Sequence, residues 1–456
     1  LSQVSIVALI VLLLVRPFEL FSWLQDIPLL PLVATTTVLG VAIDASLGTI
    51  KPRATGLVVL AAAWFGWGLV TALVSPTGDV LATLGTMSVP ASVFFPIALG
   101  TETTAKLERL VFAVVGSCLV VGSLCLHLGT RPQVCIALPD NGDPNADGVS
   151  DGRPCLTVEE CWRDPPILEA SYRCERMGPF GNRTVDGGRV RYVGVLSDPN
   201  EVALALALAV PLALGLRQQR PRSKARALLL ATTVVVATAV VLASGSRSGM
   251  LVLAVAPLGC AIANGRGRQV VGALVVGALV LLLGGRSGQH ADASTHERLE
   301  IWFEGLAMLR SNPLTGVGRD QFTRHHPLTA HNSFLLAAAE DGLIGLTAWS
   351  ALALGATGLG RSARRAARET HDETQAIWSK TLGPALAALF VGSMFLSLNR
   401  HVLTWIHLGL AAAVSNVRAP RRATSSRPER SDVLEALLFG LLVVSLIWLA
   451  VRVTSP

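Results

Sequence analysis

Residues 55–75 read T-G-L-V-V-L-A-A-A-W-F-G-W-G-L-V-T-A-L-V-S, a run without one charged side chain, preceded closely by Lys51 and Arg53. About 20 such residues make a helix that spans a bilayer core. Runs of the same character fall near 2–15, 28–47, 88–101, 107–128, 198–216, 226–244, 249–264, 269–284, 333–360, 380–399, 402–416 and 433–452, thirteen with the first. The run 2–15 counts as a span and not a cleaved leader, because Arg16 follows it directly and no small-residue cleavage site does. Composition agrees. The chain is 51% hydrophobic and only 15% charged, with a mean hydropathy of +0.53, which excludes both a soluble globular domain and a disordered chain. Aromatic residues are 5% and Ala, Val, Leu and Gly dominate, which suits packed helices and not an aromatic-girdled barrel. The expected fold class is therefore all-α: a polytopic integral membrane helical bundle of about twelve to fourteen transmembrane helices with two long outer loops.

Net charge is +7, and the positions of the basic residues say why. Lys51 and Arg53, Lys106 and Arg109, the run from Arg217 to Arg226, Arg266 and Arg268, the run from Arg361 to Arg368, and Arg418, Arg421 and Arg422 all fall on one side of this topology, as do Lys224 and Lys380. The positive-inside rule makes that side cytoplasmic. The basic excess is thus a topology signal, and nucleic acid is not an expected partner. The chain divides into N-terminal transmembrane helices (1–128), an exported loop (129–197), central helices (198–284), a second exported loop with an amphipathic helix (285–332) and C-terminal helices (333–456). Cys135, Cys155, Cys161 and Cys174 all lie in the first loop, where an exported setting favours two disulfides in any of three pairings. Cys118, Cys125 and Cys260 sit in apolar runs as packing residues.

In the first loop, Asp143, Asn145, Asp147 and Asp151 stand at positions 1, 3, 5 and 9 of a calcium-loop pattern, with Gly148 at position 6. Position 12 is Pro154, so no bidentate glutamate closes the loop. A structural calcium ion and a disulfide-held acidic turn are both compatible with this pattern; no catalytic cofactor is expected.

Four further features converge on the outer face. Ser197-Asp198-Pro199-Asn200-Glu201 opens a helix, with Asp198 as its N-cap and Pro199 at the first helical position; Glu201, one turn inside, is harder to read as a cap. Ser244-Gly-Ser-Arg247-Ser-Gly249 is a tight hairpin whose helix start and guanidinium suit an anion. Ser294 to Glu297 has the pattern of a capping box, followed by Leu299, Trp302, Phe303, Leu306 and Leu309 at helical spacing up to Asn312-Pro313. Ala330-His331-Asn332-Ser333 precedes a span, where a helix dipole would favour neutral imidazole in His331. Glu340 and Asp341 lie inside that span and require partners.

These blocks, S-D-P-N-E-V-A, S-R-S-G, E-R-L-E-I-W-F-E-G-L-A-M-L-R-S-N-P-L-T-G-V-G and A-H-N-S-F-L-L-A-A-A-E-D-G-L-I-G-L, resemble the O-antigen ligase and polymerase family over about 198–346. The resemblance implies an inner-membrane bacterial glycosyltransferase of the type C architecture. Such enzymes move a glycan from undecaprenyl diphosphate to a glycan, lipid A-core or protein acceptor at the periplasmic face, with inversion and without a metal. It further implies that Arg247 and Arg298 bind the diphosphate and that His331 is the general base. Asp198, Asn200, Glu201, Asn332 and Glu340, from the blocks themselves, are candidates for substrate or structural support. The rival from another class is a polytopic transporter of lipid-linked oligosaccharides. No repeat between halves favours it, and the polar groups cluster at one face.

Overall fold

The computed structural model describes residues 2–76, 78–138, 148–163, 166, 170–185, 188–265, 267–268, 270, 272, 289–370, 373–417 and 430–454. Sixteen helices carry most of the regular structure among the described residues. Before the first loop come α1 (Ser2–Val15), the short α2 (Pro17–Leu20), α3 (Leu29–Ser46), α4 (Gly56–Val74), α5 (Val80–Gly100) and α6 (Thr104–Thr130). The loop holds α7 (Val158–Cys161). After it run α8 (Pro199–Gln219), α9 (Lys224–Ser244), α10 (Arg247–Ala263), α11 (Gln289–Ser311), the short α12 (Phe322–His325), α13 (Ser333–Thr370), α14 (Glu373–Gly392), α15 (Val402–Asn416) and α16 (Arg430–Thr454). Eight of these are long and apolar enough to cross a membrane, and α1, α10 and α15 are shorter apolar helices. The protein is a multi-pass membrane protein.

Hydrogen bonds sort the helix ends into two sets. At one end, Ser2 N–H donates to Asp44 Oδ2 at 3.0 Å, Gln3 Nε2 to Lys106 O at 3.2 Å, and Gln219 Nε2 to Thr374 O at 3.1 Å. Arg226 joins α9 to α8 and α6 there, through Leu216 O at 2.8 Å and Glu108 at 2.5 Å. This is the basic end. At the opposite, loop end, Tyr192 Oη donates to Val15 O at 2.7 Å, Ser75 Oγ to Val317 O at 2.7 Å, and Ser333 N–H to Ser393 O at 2.7 Å. Successive long helices alternate between the ends. α10 finishes at the basic end and α11 lies at the loop end; the predicted span 269–284 between them falls outside the described residues.

α8 is the hub. Its residues from Val202 to Ala213 are all buried, against α6, α9, α10 and α14, as expected of a helix that is apolar on every side. Its Ala–Leu alternation lets neighbours come close: a Cβ on Gly249 of α10 would lie 2.5 Å from Ala203 Cβ. Two predicted spans shift. The run at 88–101 is the second half of α5, which starts at Val80 because Asp79 Oδ1 accepts from Ala82 N–H at 3.0 Å; Pro90 and Pro96 are accommodated inside it. The run at 380–399 extends past Gly392, where α14 stops and a loop begins.

The all-α expectation holds for the membrane body, but the first loop carries a three-stranded antiparallel sheet in the order β2–β1–β3, with β1 at Gln133–Leu138, β2 at Val149–Pro154 and β3 at Ser171–Arg176. Disulfides join Cys135 to Cys161 and Cys155 to Cys174. They supply the cross-links that so small a sheet needs in place of a core. Cys118, Cys125 and Cys260 are free and buried.

Candidate active site at the loop end

His331 sits one residue outside the helix, not on its first turn. α13 begins at Ser333, and Asn332 is its cap, with Oδ1 accepting from Phe334 N–H and Leu335 N–H at 3.0 Å each. The dipole argument for a neutral imidazole is thereby replaced. Burial is the main cause that holds the His331 pKa below the ordinary histidine value, and the charge of Arg298 is second; Asp198 and Glu297 oppose them. The His331 backbone is left-handed, with φ 46°, an uncommon state for a residue with a Cβ. What imposes it is the α14–α15 loop. Ser333 N–H donates to Ser393 O at 2.7 Å, Ser333 Oγ to Leu396 O at 2.7 Å, Leu398 N–H to Ser333 Oγ at 2.8 Å, and Asn399 Nδ2 to Ser333 O at 2.9 Å. Asn332 Nδ2 adds a bond to Met394 O at 3.0 Å. The backbone is clamped, whereas the half-buried ring of His331 makes no hydrogen bond to a described residue.

Arg298, on α11, is within electrostatic reach of His331. That helix begins at Gln289, so Ser294 and Glu297 lie within it and no capping box opens it at Ser294. Its buried stripe is Ile301, Gly305 and Met308, with Trp302, Leu306 and Leu309 beside it, while Phe303 is 60% exposed. Trp302 Nε1 donates to Ala330 O at 3.1 Å, and a Cβ on Gly305 would lie 3.0 Å from Leu335. These contacts fix α11 against the start of α13.

Asp198 caps α8, its Oδ1 accepting from Asn200 N–H at 2.6 Å and Asn200 Nδ2 at 2.8 Å. Glu201 lies 3.7 Å from His401 Nε2. The arginine hairpin stands at the loop end of α10, with the Arg247 side chain exposed. Its backbone is less open than its composition suggests: Ser246 Oγ accepts from Gly249 N–H at 3.0 Å and Ser244 Oγ from Ser246 N–H at 3.4 Å. Arg189, from the first loop, braces it by donating from Nε to Ser244 O at 2.7 Å.

Glu340 and Asp341 belong to a separate cluster. α13 breaks at Gly342 (φ 67°, ψ −166°), and the loop after α11 fills the break: Val317 N–H donates to Ala339 O and Gly318 N–H to Glu340 O, both at 2.9 Å. Only glycine fits at two points here. A Cβ would meet Leu314 O at 2.2 Å from Gly342, and the Glu340 carbonyl carbon at 2.3 Å from Gly316. Arg319 pairs with Asp341 through both nitrogens, Nε at 2.7 Å and a terminal nitrogen at 2.6 Å, and stacks on Trp64 at 3.9 Å. Glu340 accepts from Phe322 N–H at 3.2 Å and lies 3.4 Å from Arg400, which also pairs with Asp320.

The structure therefore gathers His331, Arg298, Asp198 and Glu297, sets Glu201 with His401 beside Asp198, and gives Glu340 to another cluster. Sequence reasoning missed Arg319, Arg400 and the 393–399 clamp. Arg319 had a signal: it follows G-V-G directly, and two carboxylates in a span call for a buried cation. Of the calcium-pattern residues, Asp143, Asn145 and Asp147 lie outside the described residues. Asp151 is engaged by Arg153, with Oδ2 2.8 Å from Nε and 2.6 Å from a terminal nitrogen.

The fold and the clustered polar groups define a multi-pass helical membrane protein whose chemistry-bearing residues gather at the loop end. The family model described as O-antigen ligase matches residues 232–350, a stretch that holds Arg247, Arg298, His331 and the broken helix. Those residues are thus similar to the O-antigen ligase family, which suggests ligase- or polymerase-type function. No curated protein matches the chain.

Proposed function

We propose that the protein transfers a glycan from undecaprenyl diphosphate to an acceptor hydroxyl, with inversion and without a catalytic metal, in a bacterial inner membrane with the loop end facing the periplasm. His331 takes the proton of the acceptor hydroxyl as that oxygen bonds to C1 of the donor sugar. The C1–O bond to phosphate breaks on the opposite side, and the diphosphate leaves with the electron pair. Arg298 and Arg247 meet the charge that grows on the leaving group, with arginine's fork suited to phosphate.

The observation that carries this reading is the His331 ring itself. Its backbone is clamped, its nitrogens have no described partner, and burial, with the charge of Arg298 second, holds its pKa below the ordinary histidine value. A purely structural histidine would use its nitrogens. Removing a positioned base typically costs about 10²–10⁴-fold in rate. His331→Ala, purified and given undecaprenyl-diphosphate glycan, should lose transfer on that scale while still binding donor, and should partly recover at raised pH. Wild-type transfer by His331→Ala would overturn the mechanism.

A further inference from the structure

Glu201 has no structural task that accounts for it. A glutamate at the third helical position ordinarily reaches back to the N–H of the cap residue. Here the Asp198 side chain does the capping through Asn200, and the Glu201 carboxylate makes no hydrogen bond to a described residue. Its nearest basic neighbour does not neutralise it. His401 Nε2 is 2.7 Å from Val195 O, which places the proton on Nε2, and Nδ1 accepts from Leu403 N–H at 3.3 Å. That ring is spent and neutral, and burial holds its pKa down. Its Nε2 stands 3.7 Å from Glu201 Oε1, beyond hydrogen-bond reach. The Glu201 side chain is 23% exposed, at the loop end of a helix whose next turns are wholly buried.

We infer that Glu201 is a sugar-hydroxyl site, accepting hydrogen bonds from the incoming acceptor glycan beside His331. This rests on the glycosyl-transfer reading above. A carboxyl group offers lone pairs to hydroxyl donors. Charge decides which substrate it serves. The carboxyl groups of Asp198, the cap of α8, and Glu201, one turn on, offer a diphosphate no positive charge, whereas Arg298 and Arg247 attract one. The neutral, hydroxyl-rich acceptor fits the acidic side. Asp198 is also within electrostatic reach of His331, so a hydroxyl held here lies on the side of the base.

The test measures binding of two probes to the purified protein. One is the oligosaccharide freed by mild acid from the producing organism's own lipid-linked glycan; the other is sugar-free undecaprenyl diphosphate. Glu201→Gln should weaken oligosaccharide binding at least tenfold and leave undecaprenyl diphosphate binding unchanged, which also reports an intact fold. Should the Gln variant lose both probes, Glu201→Asp serves, and it should retain the lipid probe and part of the sugar affinity. Equal oligosaccharide binding by wild type and Glu201→Gln, or none by wild type, overturns the site. Glu201-dependent sugar binding in a wild-type protein that transfers nothing would refute the transferase reading and keep the sugar site.

Discussion

Two charged clusters lie at the loop end, and they are built in opposite ways. In the cluster of Arg319, Asp341, Glu340, Arg400 and Asp320, the carboxylates are matched: Arg319 forks onto Asp341, Thr71 Oγ1 adds 3.1 Å to the same carboxylate, and Thr86 Oγ1 donates to Asp320 at 2.6 Å. Arg319 and Asp341 are 1% exposed each. Around His331 the backbone is bound as tightly, yet the imidazole and the Glu201 carboxylate have no hydrogen bond to a described residue. Satisfied charges in a bilayer hold helices together. Unsatisfied ones at the membrane edge are the groups to which we assign the substrate.

The largest effect should come from breaking the closed cluster. Arg319→Met leaves Asp341 buried without its cation, and loss of one partner of a buried pair costs about 3–5 kcal/mol. Thermal unfolding in detergent should fall sharply, and Arg319→Met combined with Asp341→Leu should regain much of the loss. If the single variant kept its stability and lost only transfer, the closed cluster would be chemical and the contrast would collapse.

Next is Arg247. Its variants should fold normally, because its side chain is exposed, and Arg247→Ala should lower transfer by about 10²-fold, the scale of one lost charge-stabilising group. Arg247→Lys should remain impaired, since a lysine cannot fork onto phosphate. Donor turnover at the wild-type rate in Arg247→Ala would remove this residue from the proposed diphosphate site.

A subtler change sharpens the role of Arg298. Its positive charge helps hold the His331 pKa below the ordinary value, so the neutral base persists to lower pH. Arg298→Gln removes that charge and the pKa rises. The acid limb of the pH–rate profile should therefore move to higher pH, opposite to the effect of Glu297→Gln. An unmoved limb in both would mean that His331 is not the titrating base.

How much of this contrast could be read beforehand follows from what each feature rests on. Spans such as 55–75 follow from composition alone, because lipid demands internally bonded apolar helices. His331, Arg247 and Arg298 stood out through motif blocks, and Asp198 through cap chemistry. The clamp at Ser393–Asn399 was hidden: it is a loop made of ordinary polar residues, inside what hydropathy assigned to a span, and it meets Ser333 only through the packing of α14 against α13. The helix break at Gly342 was hidden for a similar reason, since Gly316 and Gly342 explain each other only once the two backbones touch.

The smallest effect is expected in the first loop, where we propose that Asp143, Asn145, Asp147 and Asp151 bind one calcium ion. Two disulfides already restrain this loop, so an ion adds little to its stability. Affinity should be weak as well, because Pro154 stands where a bidentate glutamate would close the loop, and because Arg153 competes for Asp151. That competition gives a signed prediction. Calorimetric titration of the purified protein with calcium should show a single weak site, lost in Asp147→Ala and tightened in Arg153→Ala, where the Asp151 carboxylate is released to the ion. Transfer by the protein should change little with chelator, since the two disulfides hold the loop together without the ion. Heat that is absent in both the wild type and Arg153→Ala would leave the segment as an acidic turn whose charge is balanced from within the loop.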